Sequence, residues 1–297
     1  MASSEQSYKP NRLHIIILVL LVVAGIILKI ITAAPTWMHF DEPYYLNKSL
    51  NFIEHGNLTT YMWRPPENIM LIPGSGSGYG VLVLTVWMRV FGLSLVNGRL
   101  LMILIGLLTA IVMYFVASKW WNSREAGLAA FVFGIVSTSP FYSLIIRMDA
   151  PGMLAYSIVL LLHIYAVRGQ SRWLHALTGI AAVVAVEFHS MAIIYIAMLA
   201  FYYAITYIQL FGERRRVIFD TPAVFFGIGV FCTGLVYVAI HILPYPRGYF
   251  VLFATCYDCG HDNWLFKEMV RFGRFLLLRS VEFVLLIAGM MSAIFRR

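Results

Sequence analysis

The feature that most constrains this chain is a series of long apolar runs that recur along most of its length. Hydrophobic residues make up 61% of the 297 positions and charged residues only 12%, which is about half the charged share of a soluble domain. A water-soluble protein of this size cannot bury so much apolar surface. Runs of roughly 18 or more apolar residues are long enough to cross a hydrocarbon layer about 30 Å thick. The sequence therefore predicts an all-α integral membrane protein.

The runs predict about eight transmembrane helices in a single transmembrane domain, residues 1–297. The first run follows a polar N-terminus, residues 1–12, and is too long for the core of a signal peptide, so we interpret it as a retained anchor. Tight turns are expected at 140–151 and at 187–190. The predicted spans lie near 13–34, 97–118, 126–146, 150–167, 173–188, 190–210, 221–243 and 273–295.

Basic residues predict the orientation, because Lys and Arg collect in the cytoplasmic connections of membrane proteins. With the N-terminus inside, every cytoplasmic segment holds a basic cluster. This accounts for the net charge of +8 without nucleic acid as a partner. The expected location is the cell membrane, or the endoplasmic reticulum membrane if the source is eukaryotic. The clusters are Lys9/Arg12, Lys119/Arg124, Arg168/Arg172, Arg214–Arg216 and Arg296/Arg297.

Two external segments follow from this orientation, residues 35–96 and 244–272. The first contains an apolar stretch, Gly80–Gly92, which at 13 residues is short for a span. We interpret this stretch as an amphipathic helix lying on the outer leaflet. If it crossed the membrane instead, the Arg214–Arg216 cluster would fall outside.

Three groups of ionisable residues are candidates for chemistry. The first is Asp41-Glu42-Pro43-Tyr44-Tyr45, just after the first apolar run. Partial desolvation at this depth raises a carboxylate pKa and makes the group a better base. The alternative is that Asp41 only caps a helix that starts before Pro43.

The second group is Arg147-Met148-Asp149, where Asp149 could simply cap the next helix. The third is Glu187-Phe188-His189, which could orient a substrate, bind a metal or form a satisfied polar turn. The predicted topology puts all three groups at one depth on the external side. Ionisable residues at membrane depth are costly, so their convergence indicates a functional site.

The order of several motifs resembles the GT-C fold glycosyltransferases that use lipid-phosphate sugars, in particular protein O-mannosyltransferases and the aminoarabinose transferases of lipid A. The resemblance covers roughly residues 10–200. It rests on the acidic pair Asp41-Glu42, on the aromatic-rich external loop after it, and on four motifs that follow in the same order as in that family. Those motifs are Phe91-Gly92, Gly98-Arg99-Leu100-Leu101, Trp121-Asn-Ser-Arg-Glu-Ala-Gly127 and Arg147-Met148-Asp149.

The resemblance implies transfer of a sugar from a polyprenyl-phosphate donor to a hydroxyl of a protein, lipid or glycan acceptor. Asp41 maps to the family's proposed base, with Glu42 beside it, and Asp149 to an acid that supports the donor or acceptor site. The leaving phosphate needs positive charge, which Arg147, Arg99 or Arg279 could supply. The further substrate-binding candidates are Tyr44, Tyr45, Glu187 and His189.

No cofactor is required by these motifs, although a divalent metal ion could take part. Cys256, Cys259 and His261 in the second external segment could form half of a zinc site, or the two cysteines a local disulfide. Two other functions stay open. A transporter or flippase would favour internal repeats and charges near the bilayer centre, and neither is evident. A non-catalytic protein that binds polyprenyl lipid is the second alternative.

Overall fold

A computed structural model describes residues 38–39, 41–56, 78–137, 145–189, 192–214 and 220–243, with scattered helical positions between 16 and 31. All of them lie within one compact unit of the chain, Met1–Tyr245. The predicted last span, the second external segment, Arg279 and the pair Cys256/Cys259 lie outside the described residues.

The described chain is helical and contains no strand, which confirms the all-α class for this part of the protein. A π-helical turn, Val238–Ile242, follows the last helix. The helices are α1 (Asp41–His55), α2 (Gly78–Phe91), α3 (Leu95–Trp121), α4 (Arg124–Ser137), α5 (Asp149–Gly169), α6 (Arg172–Phe188), α7 (Ala192–Arg214) and α8 (Pro222–Tyr237).

Four helical segments in the described part are long and apolar enough to cross a membrane. They correspond to four of the predicted spans, so the membrane character of the chain is supported. The described segments are Leu95–Trp121, Asp149–Gly169, Ala192–Gly212 and Pro222–Ile240.

Two further expected spans are shorter within the described residues. Helix α6 has 17 residues and α4 has 14, and at 1.5 Å per residue they reach about 26 Å and about 21 Å. Of the predicted span 126–146, residues 126–137 are helical and residues 145–146 are not, and the residues between them lie outside the described part of the chain.

Short polar turns connect α3 with α4 and α5 with α6, and polar residues begin α3, α6 and α8. Ser94, Ser171 and Thr221 are N-caps whose side chains accept hydrogen bonds from backbone N–H groups in the first turns of α3, α6 and α8. Asn122 and Gln170 end α3 and α5 in the left-handed conformation, with φ of 53° and 46°. These turns fold α3 with α4, and α5 with α6, into antiparallel hairpins.

Two hydrophobic clusters hold the helices together. One joins α2, α3 and the segment 145–148, and includes Leu84, Met88, Met102, Ile146 and Met148. The other joins α5, α6, α7 and α8 around Val159, Ala182, Ala185, Tyr203 and Phe226. Helix α2 buries one face in the first cluster and exposes Val83, Val86, Val90 and Phe91 on the other. It begins two residues earlier than the predicted stretch, and its position on the outer leaflet stays a prediction.

Candidate functional site

The carboxylate of Glu42 is fully buried where α1, α3 and the segment 145–148 meet. Arg99 donates from Nε to Oε1 and from Nη2 to Oε2, both at 2.8 Å. The backbone N–H of Ile146 donates to Oε1 at 3.1 Å, and that of His39 to Oε2 at 2.7 Å. The last contact ties the residue two positions before α1 to its first turn. Glu42 therefore ties three separate stretches of the chain together.

Burial by itself would raise the pKa of Glu42, but hydrogen bonds from Arg99 and from the backbone N–H groups of His39 and Ile146 outweigh it. The net effect holds the pKa of this carboxyl below its usual value, and the group stays ionised. The Arg99 side chain is only 2% exposed. Neither residue offers a reactive atom to a substrate in this arrangement, which favours a positioning role for both.

The neighbouring carboxylate, Asp41, has a different environment. Its side chain is 25% exposed and its Oδ2 lies 3.4 Å from Arg147 Nε. His39 Nδ1 is 3.6 Å from the same oxygen, yet that nitrogen accepts a hydrogen bond from the backbone N–H of Asp41 at 3.3 Å. Asp41 is thus a partly open carboxylate beside the guanidinium of Arg147.

Arg147 lies between two carboxylates, because its Nε also donates to Asp149 Oδ2 at 2.7 Å. On the far side, Asp149 Oδ1 is 3.4 Å from His189 Nε2. Burial lowers the pKa of His189, Arg147 lowers it further and Asp149 opposes the shift. A neutral imidazole at neutral pH makes this last contact polar rather than ionic. We call His39, Asp41, Arg147, Asp149 and His189 the polar cluster.

Asp149 does not cap α5, contrary to the sequence expectation. The N-cap is Met148, which makes no side-chain capping bond, and Asp149 is the first helical residue. Its carboxylate contacts Arg147 and His189 instead. Gly152 makes this approach feasible, because a Cβ there would stand 2.5 Å from the Cβ of His189. Close packing of α5 against the end of α6 therefore depends on glycine at this position.

Two tyrosines of α1 adjoin the polar cluster. Burial, with the nearby charges of Asp41 and Asp149, raises the pKa of Tyr45 to about 12, so the phenol stays protonated and can donate a hydrogen bond. The ring of Tyr44 contacts that of Tyr45 edge to face, with centroids 5.2 Å apart. The amphipathic phenol rings suit contact with a ligand that has both apolar and hydroxyl groups.

The remaining predicted residue of this region, Glu187, is 5% exposed in the last turn of α6. Its Oε2 lies 3.4 Å from where a Cβ of Gly78 would stand. Within the described ranges, no three His, Cys, Asp or Glu side chains are grouped as a metal site would need. His39 was missed by the sequence reasoning, since a single histidine two positions before Asp41 forms no motif.

The structure thus brings together residues from all three sequence groups, Asp41, Arg147 with Asp149, and His189. Comparison of the chain with protein-family models, with curated proteins and with solved structures finds no match. The site offers a partly exposed carboxylate, a shared guanidinium, a protonated phenol and a neutral imidazole. Such a set can accept a proton and hold hydroxyl groups.

Proposed function

We propose that the chain is a membrane glycosyltransferase that moves a sugar from a polyprenyl-phosphate donor to an acceptor hydroxyl. The proposed architecture is a GT-C-like bundle of about eight transmembrane helices. Its N-terminus is cytoplasmic and its polar cluster faces the external or lumenal side. The acceptor is a protein, a lipid or a glycan. The donor and the acceptor follow from the motif resemblance, and the local geometry supports the choice of base.

The observation that carries the proposal is the contrast between the two adjacent carboxylates. Glu42 has its oxygens occupied by four donors, whereas Asp41 is partly exposed and lies beside His39 and Arg147. A general base needs an oxygen that can reach a substrate hydroxyl at about 3 Å. Asp41 meets this requirement, and Glu42 with Arg99 fixes the start of α1 that carries it.

In the proposed reaction, Asp41 takes the proton from the acceptor hydroxyl. The hydroxyl oxygen attacks the anomeric carbon from the face opposite the phosphate, and the bond between that carbon and the phosphate oxygen breaks. The lipid phosphate leaves as an anion, and the configuration at the anomeric carbon is inverted. Arg147 contacts both Asp41 and Asp149 and holds the two carboxylates in fixed positions. Asp149 and His189 offer polar atoms to sugar or acceptor hydroxyls.

Transfer of labelled sugar from polyprenyl-phosphate sugars in membranes tests the proposal. Asp41→Asn should lower the rate by about 10²–10⁴-fold, the usual share of general-base catalysis. Asp220→Asn is the matched control, because Asp220 is an exposed carboxylate paired with Arg172, and it should transfer normally. Full activity of Asp41→Asn would show that Asp41 is not the general base. A wild-type protein inactive with every donor would favour the transporter or lipid-binding alternative.

A further inference from the structure

Helices α3 and α5 carry basic residues at the end that lies away from the polar cluster. Helix α3 begins near the buried pair of Arg99 with Glu42, and α5 begins at Asp149. Lys119 lies in the last turn of α3 and Arg168 in the last turn of α5. With 27 and 21 residues, the helices are about 40 Å and about 31 Å long. Both are long enough to carry these cations across a hydrocarbon layer of about 30 Å.

Two exposed tryptophans mark the same end of the bundle. Trp121 is the last residue of α3 and is 61% exposed, and Trp173 in the first turn of α6 is 83% exposed. Tryptophan is enriched at the boundary between lipid and water, where its ring contacts acyl chains and its indole N–H reaches polar groups. These positions indicate that this end of the bundle lies at the level of the lipid headgroups.

Lys119 and Arg168 lie close together where α3 meets α5. The Nζ atom of Lys119 is 5.9 Å from the centroid of the Tyr165 ring, so the end of α3 contacts the end of α5. Arg168 follows Tyr165 by three positions, and residues with this spacing are neighbours on a helix surface. All three side chains are exposed. We call Lys119, Tyr165 and Arg168 the basic site.

The basic site has a net positive charge. Within the described ranges, no carboxylate forms an ion pair with Lys119 or Arg168. Arg172 lies at the same end of the bundle but pairs with Asp220. Two neighbouring cations repel each other, and an anion that contacts both offsets this repulsion. A phosphate suits the site, because its oxygens accept hydrogen bonds from an ammonium and a guanidinium together.

An apolar stripe leads away from the basic site toward the middle of the bundle. Leu108, Ile111 and Phe115 are 38–44% exposed, and their spacing of three or four residues puts them on the same face of α3 as Lys119. On α5, Ile158 is 42% exposed and lies two turns before the tyrosine of the basic site, on the same face. An acyl chain attached to an anion at the basic site can therefore lie along these side chains.

We propose that the basic site binds the phosphate of an anionic phospholipid whose acyl chains lie along the apolar stripe. A soluble anion would contact the cations alone, whereas the stripe provides a surface for a ligand that also has acyl chains. A net negative charge on the lipid is required, because a zwitterionic headgroup carries an ammonium that the two cations repel. This lipid lies in the leaflet opposite the polar cluster and takes no part in the proposed sugar transfer.

Lipid binding by the full chain tests the proposal. The protein is purified in detergent micelles and titrated with phosphatidylglycerol or with phosphatidylcholine of identical acyl chains, and bound lipid is measured by native mass spectrometry. The variants are Lys119→Gln, Arg168→Gln and the double variant. Arg172→Gln is the matched control, because it removes one exposed cation from the same end of the bundle but leaves the basic site intact.

The wild type should bind phosphatidylglycerol more tightly than phosphatidylcholine. Each single substitution should weaken binding of phosphatidylglycerol about fivefold and the double substitution about 30-fold, as expected for loss of one and two basic residues beside an anionic lipid. Arg172→Gln should match the wild type. Equal weakening by Arg172→Gln would show a general attraction to positive charge and would overturn the assignment to this site. Equal affinity of the wild type for the two lipids would also overturn it.

Inorganic phosphate separates the two sources of the anion. It should displace phosphatidylglycerol poorly, because it makes no contact with the apolar stripe. Displacement as effective as that by unlabelled phosphatidylglycerol would overturn the assignment to a lipid.

Thermal unfolding gives an independent readout. Without added lipid, the double variant should unfold at the temperature of the wild type, since both substituted side chains are exposed. Added phosphatidylglycerol should raise the unfolding temperature of the wild type more than that of the double variant. A lower unfolding temperature of the lipid-free double variant would mean that the two cations hold α3 against α5 directly, which contradicts the proposal.

Discussion

The guanidinium of Arg99 and the carboxylate of Glu42 form a two-point ion pair, with both nitrogen–oxygen distances at 2.8 Å, across 57 positions of sequence. Both side chains are essentially inaccessible. The pair fixes the first turn of α1 against α3 and, through the N–H of Ile146, against the residues that precede Asp149. It therefore sets the positions of Asp41 and Arg147 relative to each other.

Replacing Arg99 with methionine should be strongly destabilising. The variant leaves the buried Glu42 carboxylate without its counter-ion, a loss of about 3–5 kcal/mol in the free energy of unfolding. Denaturant unfolding in detergent micelles measures this loss of stability. Arg172→Met is the control, because that arginine is 63% exposed and its pair should contribute less than about 1 kcal/mol. If the two substitutions lowered the free energy of unfolding equally, the buried pair of Arg99 with Glu42 would contribute no more than an exposed one.

The stability of the protein should fall in acid partly because of Glu42. Its folded-state pKa is lower than the unfolded value of 4.5, so the unfolded chain binds more protons in this range. The contribution is fully present above the unfolded value and is lost as the pH falls through the folded one. Glu42→Gln should be less stable at neutral pH and show a shallower decline below pH 4.5, measured by unfolding at each pH. If stability fell equally steeply with pH in the wild type and in Glu42→Gln, Glu42 would not be a source of the acid sensitivity.

Helices α6 and α8 should separate if Gly229 gains a side chain. A Cβ at Gly229 would stand 2.1 Å from the carbonyl oxygen of Ala176, and one at Gly179 would stand 2.3 Å from that of Phe226. Small residues allow such close packing between membrane helices. Gly229→Ala should therefore cost about 1–3 kcal/mol, as overpacking does.

Gly227 is the control for this prediction, since a Cβ there meets nothing within 4 Å and the residue lies on the same helix. Gly227→Ala should be neutral or slightly stabilising, because alanine has the higher helix propensity. Thermal unfolding of the two variants in one detergent measures the difference. If both variants lost stability equally, the cost of Gly229→Ala would not come from the close approach of α6 and α8.

Tyr203 should stabilise the second hydrophobic cluster through its hydroxyl. His163 Nδ1 lies 3.0 Å from this oxygen and His175 Nδ1 lies 2.8 Å from it. One hydroxyl proton can serve only one of the rings, so the other histidine must donate its own Nδ1–H. Tyr203→Phe removes both bonds and leaves buried polar nitrogens unmet, at a cost of about 1–3 kcal/mol.

The adjacent Tyr202 gives a matched control for Tyr203. Its ring packs edge to face against His163 and Tyr203, but its hydroxyl takes no part in the shared bond. Tyr202→Phe should leave the unfolding temperature close to that of the wild type. Proton resonances of the two histidines would report the fixed tautomers directly, and exchange between tautomers in the wild type would contradict the arrangement.

Local chemistry explains why much of the fold could be predicted. Long apolar runs and polar capping residues place α3, α5, α7 and α8 near the predicted bounds, and the turns at Asn122 and Gln170 follow basic or aromatic helix ends. Capping by Asp149 was wrong, since a histidine from a distant part of the sequence and a neighbouring arginine contact its carboxylate.

The sequence by itself determined that the chain is helical, suited to a bilayer, and marked by the acidic pair Asp41-Glu42. Only the tertiary structure decided which member of the pair stays accessible. Adjacent residues on a helix point about 100° apart, so packing against α3 buries Glu42 on Arg99 and leaves Asp41 at the polar cluster.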